Sequence, residues 1–301
     1  MTTIITGASG HLGRSVTEKL LEQLDPAELI LTTRHPQSLR HLAERGADVR
    51  HADFDRPETL EAAFRGGDNM LLISTLSVGR RAKQHRNAIE AAVKAGVKHI
   101  AYTSSGGARP DNPAMVIQDH LQTEAALRES GAAYTILRNA LYAEVPVLNI
   151  GPRAFRAGKW IGSAADGRVP FVAKADCIAC AARVLTSKGH EGATYEITGP
   201  ELLSYRDAAA LTSEVGGKAI EYVVIGDEEM LDMLISAGVP RRYEEGMETE
   251  FGTSSAEDIV SYERGIRGGY FALLSDHVAR LLGRPPVSLR ALYEANAHVF
   301  R

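Results

Sequence analysis

The sequence predicts an α/β protein of Rossmann type, a doubly wound parallel sheet with helices on both faces and a smaller C-terminal α/β lobe. Three observations predict it. Strand-like apolar runs alternate with helix-like segments on short connections through the first half. One run, Met70-Leu71-Leu72-Ile73, is apolar throughout, as a parallel strand buried on both faces requires. A glycine-rich turn, Gly7-Ala8-Ser9-Gly10-His11-Leu12-Gly13, joins the first strand to the first helix.

Taken in order, Ile4-Ile5 is the first strand, and Leu12, Val16, Leu20 and Leu24 give the helix after it one apolar face. Leu29-Ile30-Leu31 is the second strand, with Pro36 suited to the first position of a helix. Val49 marks a short third strand, and Pro57 opens a helix through Leu60 and Phe64. After Met70–Ile73 comes an alanine-rich helix through Ala88, Ala91, Ala92 and Ala95, stopped by Gly96. Ile100-Ala101-Tyr102-Thr103 is the fifth strand, a helix spans His120 to Arg128, and Tyr134-Thr135-Ile136-Leu137 is the sixth strand.

The rhythm weakens beyond Asn149, which divides a dinucleotide-binding domain (1–150) from a substrate lobe (151–301) that returns strands and helices to the sheet. In the lobe, helical segments near 176–187, 205–215 and 227–237 alternate with short strands at Tyr195–Ile197 and Tyr222–Ile225. Residues 241–270 show little periodicity and several glycines. They read as a mobile loop whose aromatics (Tyr243, Phe251, Tyr262, Tyr270, Phe271) serve as a substrate lid or a homodimer interface.

Composition narrows the function. The 301 residues carry 34 Lys and Arg against 38 Asp and Glu, a net charge of −4, which argues against nucleic acid or a membrane surface as partner. No apolar stretch approaches the ~20 residues of a bilayer span, and no basic segment opens the chain, so a cytoplasmic location is expected. The two cysteines, in Cys177-Ile178-Ala179-Cys180, have no second pair and read as helix packing; no histidine spacing suits a metal. Arg80-Arg81-Ala82-Lys83 reads as a solvated helix start.

The glycine turn is the strongest functional signal. Its glycines allow backbone amides at a helix N-terminus to approach a pyrophosphate. The second strand ends in Thr32-Thr33-Arg34, without the carboxylate that would hold the ribose 2′-hydroxyl of NAD. A guanidinium suits the 2′-phosphate instead, so NADP(H) is expected over NAD. Asp53 and Phe54 follow the third strand, where adenine is lined, although Asp53 also suits a cap before Pro57. Ser74, Thr75 and Leu76 follow the fourth strand, where a dinucleotide crosses the sheet.

These segments resemble the atypical short-chain dehydrogenase/reductases of NmrA-like type, nearest the type 2 quinone oxidoreductases and triphenylmethane reductases. The likeness rests on Thr6–Gly13, Leu71–Ser74, Gln84-His85-Arg86-Asn87, Ala95–Ser104, Tyr134–Asn139 and Gly189–Gly192, and thins out after about Pro240. It implies that Arg138, Asn139, Ala140, Leu141 and Tyr142 line the nicotinamide end, with a structural ion pair the alternative for Arg138. Ordinary members of the superfamily place Tyr-x-x-x-Lys on the helix that here reads Val116-Ile117-Gln118-Asp119-His120-Leu121-Gln122-Thr123-Glu124. Registering Glu124 on the glutamate that often follows the lysine puts His120 at the lysine and Val116 at the tyrosine, so the usual acid is missing. A hydride passed to a quinone or a cationic dye carbon needs little proton assistance. His120, one turn from Glu124 and able to pair with it, is then the residue that orients or polarises substrate.

The expected function is NADP(H)-dependent hydride transfer to an aromatic or conjugated acceptor. Tyr142 and Trp160 would border the pocket, and His120 and Tyr142 are the candidate catalytic residues. Two alternatives stay open: a reductase of another conjugated carbonyl or alcohol with Tyr102 or Tyr142 as acid, and a non-catalytic dinucleotide-sensing regulator.

Overall fold

The computed structural model describes residues 1–242 and 254–300. The first half alternates as the apolar pattern demands. β1 (Thr3–Ile5), α1 (His11–Leu20), β2 (Leu29–Thr33), α2 (Arg40–Glu44), β3 (Asp48–His51) and α3 (Leu60–Phe64) come first. β4 (Asn69–Leu72), α4 (Arg81–Lys94), β5 (His99–Ser105), α5 (Met115–Glu129) and β6 (Ala133–Asn139) follow. The remainder holds α6 (Gly151–Ala157), β7 (Lys159–Gly162), β8 (Arg168–Val169), α7 (Lys174–Thr186), β9 (Ala193–Ile197), β10 (Leu203–Ser204) and α8 (Tyr205–Gly216). It ends with β11 (Glu221–Val224), α9 (Asp227–Ser236), α10 (Ala256–Arg267), α11 (His277–Leu282) and α12 (Leu289–Ala295).

The main sheet has seven strands in the order β3-β2-β1-β4-β5-β6-β9, paired in parallel throughout. The order reverses between β1 and β4, which opens a crevice beyond their carboxyl ends. Both faces are covered, which is why the strands carry no polar alternation. Ile5, Leu31, Leu71, Ala101 and Leu137 pack against α1 and α7, while Ile4, Ile30, Met70, Leu72 and Tyr102 pack against α3, α4 and α5.

β9, α7 and α11 lie beyond residue 150 and return to this sheet. Cys177 and Cys180 are free and buried on the face of α7 that packs toward α1. Burial pushes both thiols up, Cys180 to about 12, so neither is a ready thiolate. The lobe has its own core around Trp160, Phe171, Tyr205, Tyr222, Tyr293 and Phe300. Trp160 stacks beside Tyr205 with centroids 5.6 Å apart and is buried, so the expectation that it borders a substrate pocket is corrected.

The region 241–270 is also corrected in part, since residues 256–267 form α10. Its inward face mixes polar and apolar residues: Asp258, Ser261 and Glu263 are buried beside Ala256, Val260 and Ile266. Ser261 and Glu263 find side-chain or backbone partners from elsewhere, whereas Asp258 Oδ1 finds none. Ser255 caps the helix at the Asp258 amide, Ser261 Oγ accepts from the Met115 amide on α5, and Glu263 accepts from Ser163. Tyr262 stacks on Phe271 at 4.3 Å within the lobe core. Tyr243 and Phe251 lie outside the described residues. No described helix is long and apolar enough to cross a membrane.

Candidate active site

The turn after β1 is shaped by its glycines. Gly7 has φ +57°, which L side chains rarely adopt, and a Cβ on Gly13 would overlap the Gly7 carbonyl and Ala8 backbone. Gly13 therefore lets α1 pack directly on the turn. Ala8 donates to the Thr32 carbonyl at 3.0 Å, and Ser9 Oγ bonds Thr33 Oγ1 at 2.7 Å. The turn is thus tied to the end of β2. Gly10 caps α1 without a side-chain hydrogen bond, which leaves the first-turn amides of His11, Leu12 and Gly13 for an anion. Arg34 stands exposed one residue beyond Thr33, with no ion pair among the described residues.

The loop after β4 is held differently. Ile73 donates to Thr6 Oγ1 (2.9 Å), Ser74 to Thr103 Oγ1 (2.9 Å) and Thr75 to His85 Nε2 (3.0 Å). The Thr75 hydroxyl donates to Gln84 Oε1 at 2.6 Å, and its carbonyl accepts from Arg81 Nε at 2.6 Å. Leu76, by contrast, is 62% exposed and presents an apolar side chain at the loop tip. Gly79 donates to Asp119 Oδ2 at 2.7 Å, and Gln84 Nε2 reaches on to Asp55. Asp53 Oδ1 accepts from the Asp55 amide, forming an Asx-type turn, while Phe54 folds its ring edge toward His85.

Arg81 is therefore no solvated helix start. It is 5% exposed, and its NH1 meets His120 Nε2 at 3.2 Å. His120 Nδ1 meets the Tyr102 hydroxyl at 2.7 Å, and His85 Nδ1 meets Thr123 Oγ1 at 2.9 Å. Burial first, and then the Arg81 charge, hold both imidazoles well below the usual histidine pKa, so both are neutral at physiological pH. Burial likewise raises the Tyr102 and Tyr142 phenols.

The expected His120–Glu124 pair does not form. Glu124 is fully buried and accepts from Arg138 Nε (2.9 Å) and NH2 (2.8 Å), Ser104 Oγ (2.8 Å) and Arg128 (2.9 Å). Burial alone would raise its carboxyl, but these donors, Arg138 foremost, hold it below the ordinary value. Arg138 also reaches Glu196 at 3.0 Å. Its guanidinium thus ties β6 to α5 and β9, the ion-pair alternative.

The end of β6 carries the remaining residues. Asn139 is buried; its Nδ2 lies 3.4 Å from the Tyr142 hydroxyl and its Oδ1 has no partner. Ala140 donates to the Ile197 carbonyl and Leu141 accepts from Val172, so both fasten the chain across the sheet. Lys174 sits 5.5 Å over the Tyr142 ring. A narrow cleft of about 10 Å³ lies here, between Ala140 and Leu141 on one side and Val169, Pro170 and Phe271 on the other.

Asp258 on α10, which the sequence offered no reason to single out, comes near Arg81 and Asp119. It is 8% exposed, and its Oδ1 has no partner. Burial raises its carboxyl to about 6 against the lowering pull of Arg81. Tyr262, one turn along, packs against the lobe core, where burial raises its phenol.

A family model described as NAD(P)H-binding matches residues 7–159, which span the glycine turn and strands β2 to β6 of the main sheet. The chain belongs to this NAD(P)H-binding family. Within it, the chain is 36% identical to quinone oxidoreductase 2 of Escherichia coli over 296 residues, 98% of each protein. The crystal structure of an NADPH-dependent quinone oxidoreductase from E. coli in complex with NADPH superimposes with a TM-score of 0.89, at 35% identity over all of both chains. Triphenylmethane reductase of a Citrobacter species, in complex with NADP(H), superimposes with a TM-score of 0.86 at 32% identity, covering 98% of this NAD(P)H-binding chain and all of that one.

Proposed function

We propose that the protein is an NADP(H)-dependent oxidoreductase that transfers hydride to a quinone, dye-like or other conjugated acceptor. The residues fit the cofactor. The Gly13 cradle admits no Cβ, α1 keeps uncapped first-turn amides, and Arg34 stands ready for a 2′-phosphate. Asn139 Oδ1 is a buried acceptor that suits a carboxamide N–H at the nicotinamide end. When bound, the cofactor supplies the hydride at its nicotinamide ring.

The feature that carries the choice of acceptor is on α5. The family resemblance registers Val116 on the acid of carbonyl reductases, and in the structure His120 is buried and neutral, bonded to Arg81 and Tyr102. Simple ketones need a proton donor in the transition state, whereas quinones and cationic dyes need little. The named activities of the E. coli and Citrobacter relatives agree with that choice. Leu76, Asn139 and Tyr142 would border the acceptor.

Anaerobic NADPH oxidation against quinones, triphenylmethane dyes, enones and simple ketones tests the reading. Turnover of quinones or dyes with no turnover of ketones is expected. Preferred reduction of a ketone or enone would favour the carbonyl-reductase reading, and tight NADPH binding without any turnover would favour a dinucleotide-sensing regulator.

A further inference from the structure

We infer that Arg81, His85 and His120 form a positioning device for the loop after β4, and that His120 acts through Arg81 rather than on the acceptor. The inference rests on the proposed function only in placing the dinucleotide at this edge of the sheet.

The argument begins with protons. An arginine N–H can only donate, so His120 Nε2, 3.2 Å from Arg81 NH1, must accept. A neutral imidazole then carries its hydrogen on Nδ1, which donates to the Tyr102 hydroxyl 2.7 Å away. The same logic applies to His85. Its Nε2 accepts from the Thr75 amide, so its Nδ1–H donates to Thr123 Oγ1. Both rings are held in one tautomer by partners that cannot reverse their roles.

The device converges on Thr75. Its amide, carbonyl and hydroxyl are taken by His85, Arg81 and Gln84, which lie on one face of α4 at helical spacing. Thr75 therefore has no N–H or O–H to offer a cofactor and acts as an anchor. Its neighbours Ser74 and Leu76 are left to flank the dinucleotide in a fixed orientation. His120 prevents the buried Arg81 guanidinium from swinging away, since NH1 would otherwise lose its acceptor. The charged and titratable groups around His120 are Arg81 and His85 on α4, Tyr102 on β5, Asp119 and Glu124 on α5, and Asp258 on α10.

The test compares His120→Gln, whose carbonyl can accept from Arg81, with His120→Phe, which keeps the bulk and accepts nothing. NADPH affinity, kcat and KM for menadione, the pH profile and imidazole 15N shifts are the readouts. In the wild type, the His85 and His120 signals should keep the Nδ1–H pattern from pH 5.5 to 8.5. His120→Phe should weaken NADPH binding and lower kcat/KM roughly tenfold each, with an unchanged pH profile, while His120→Gln stays within about threefold of wild type. Should His120→Phe not fold, Arg81→Lys, which keeps the charge but loses the fork, should show the same paired losses. Unchanged NADPH affinity with kcat lost and a pH limb removed would make His120 an acid and overturn the inference. Equal losses in His120→Gln and His120→Phe would overturn it as well. NADPH affinity and 15N shifts need no acceptor, so failure of every acceptor in the wild type would count against the proposed function alone.

Discussion

The loops after β1 and β4 flank the point where strand order reverses, and they are built in opposite ways. The first is shaped by missing side chains: Gly7 supplies a positive φ, Gly13 a close approach, and the first-turn amides of α1 stay uncapped. The second is shaped by the side chains it recruits, because the amides of residues 73, 74, 75 and 79 donate to Thr6, Thr103, His85 and Asp119. One loop leaves its first-turn amides without side-chain partners and the other uses its donors to hold still. An anion site needs free N–H groups, whereas a wall beside a reacting ring needs fixed geometry and no competing polar atoms.

Substitutions on each side sharpen this contrast. The largest effect is expected at Glu124, which ties α5, the helix behind the second loop, to β6. Glu124→Ala leaves the Arg138 guanidinium without its buried partner and should cost about 3–5 kcal/mol of stability by chemical denaturation. A cost under about 1 kcal/mol would mean that α5 does not depend on this network.

Asp258 adds a pH dependence on the same side. Its folded pKa of about 6 lies above the ordinary aspartate value of 3.8, so the folded state binds the proton more tightly. The favourable contribution is complete below about pH 4 and is lost as pH rises through 6. Between pH 4 and 8 the wild type should lose up to about 3 kcal/mol more stability than Asp258→Asn does. Parallel stability curves would show that the carboxyl is not in its inferred surroundings.

On the first loop the effects fall on ligand binding. Arg34→Ala should remove a preference for NADPH over NADH of about 1.5–3 kcal/mol, read as a ratio of dissociation constants. Equal affinity for the two cofactors in the wild type would leave Arg34 without this role. Gly13→Ala should force α1 off the turn, costing about 1–3 kcal/mol, with most of the loss in NADPH affinity. If the same substitution lowered stability and left NADPH affinity intact, the turn would be a packing feature rather than a cradle.

The two loops also differ in how readable they were. The first is a continuous segment whose glycines state their own geometry, so Gly7, Gly10 and Gly13 were legible at once. Arg34 was legible because it directly follows β2. The second is assembled from residues far apart in sequence. Arg81 sits in a run of charges and looked solvated, and only burial beside Thr75 and His120 reveals its part. His120 was given the wrong neighbour. Glu124 lies one turn away, yet it faces Arg138, and His120 faces Arg81. α10 was missed although Ser255 at its cap, acids in its first turn and Arg264 and Arg267 in its last turn mark a helix. Only the partners of its buried polar side chains, Met115 and Ser163, lie more than ninety residues distant.

By itself the sequence determined the alternating elements, the doubly buried sheet and the glycine turn, because each depends on contacts within a turn or two of chain. Apolar periodicity and glycine conformations are local properties that survive in one dimension. Tertiary structure alone decided which buried polar group meets which. A buried donor must find an acceptor somewhere, and the acceptor available depends on which elements the fold brings together. Arg81 with His120, Arg138 with Glu124 and Asp258 without a partner on Oδ1 are all settled at that level.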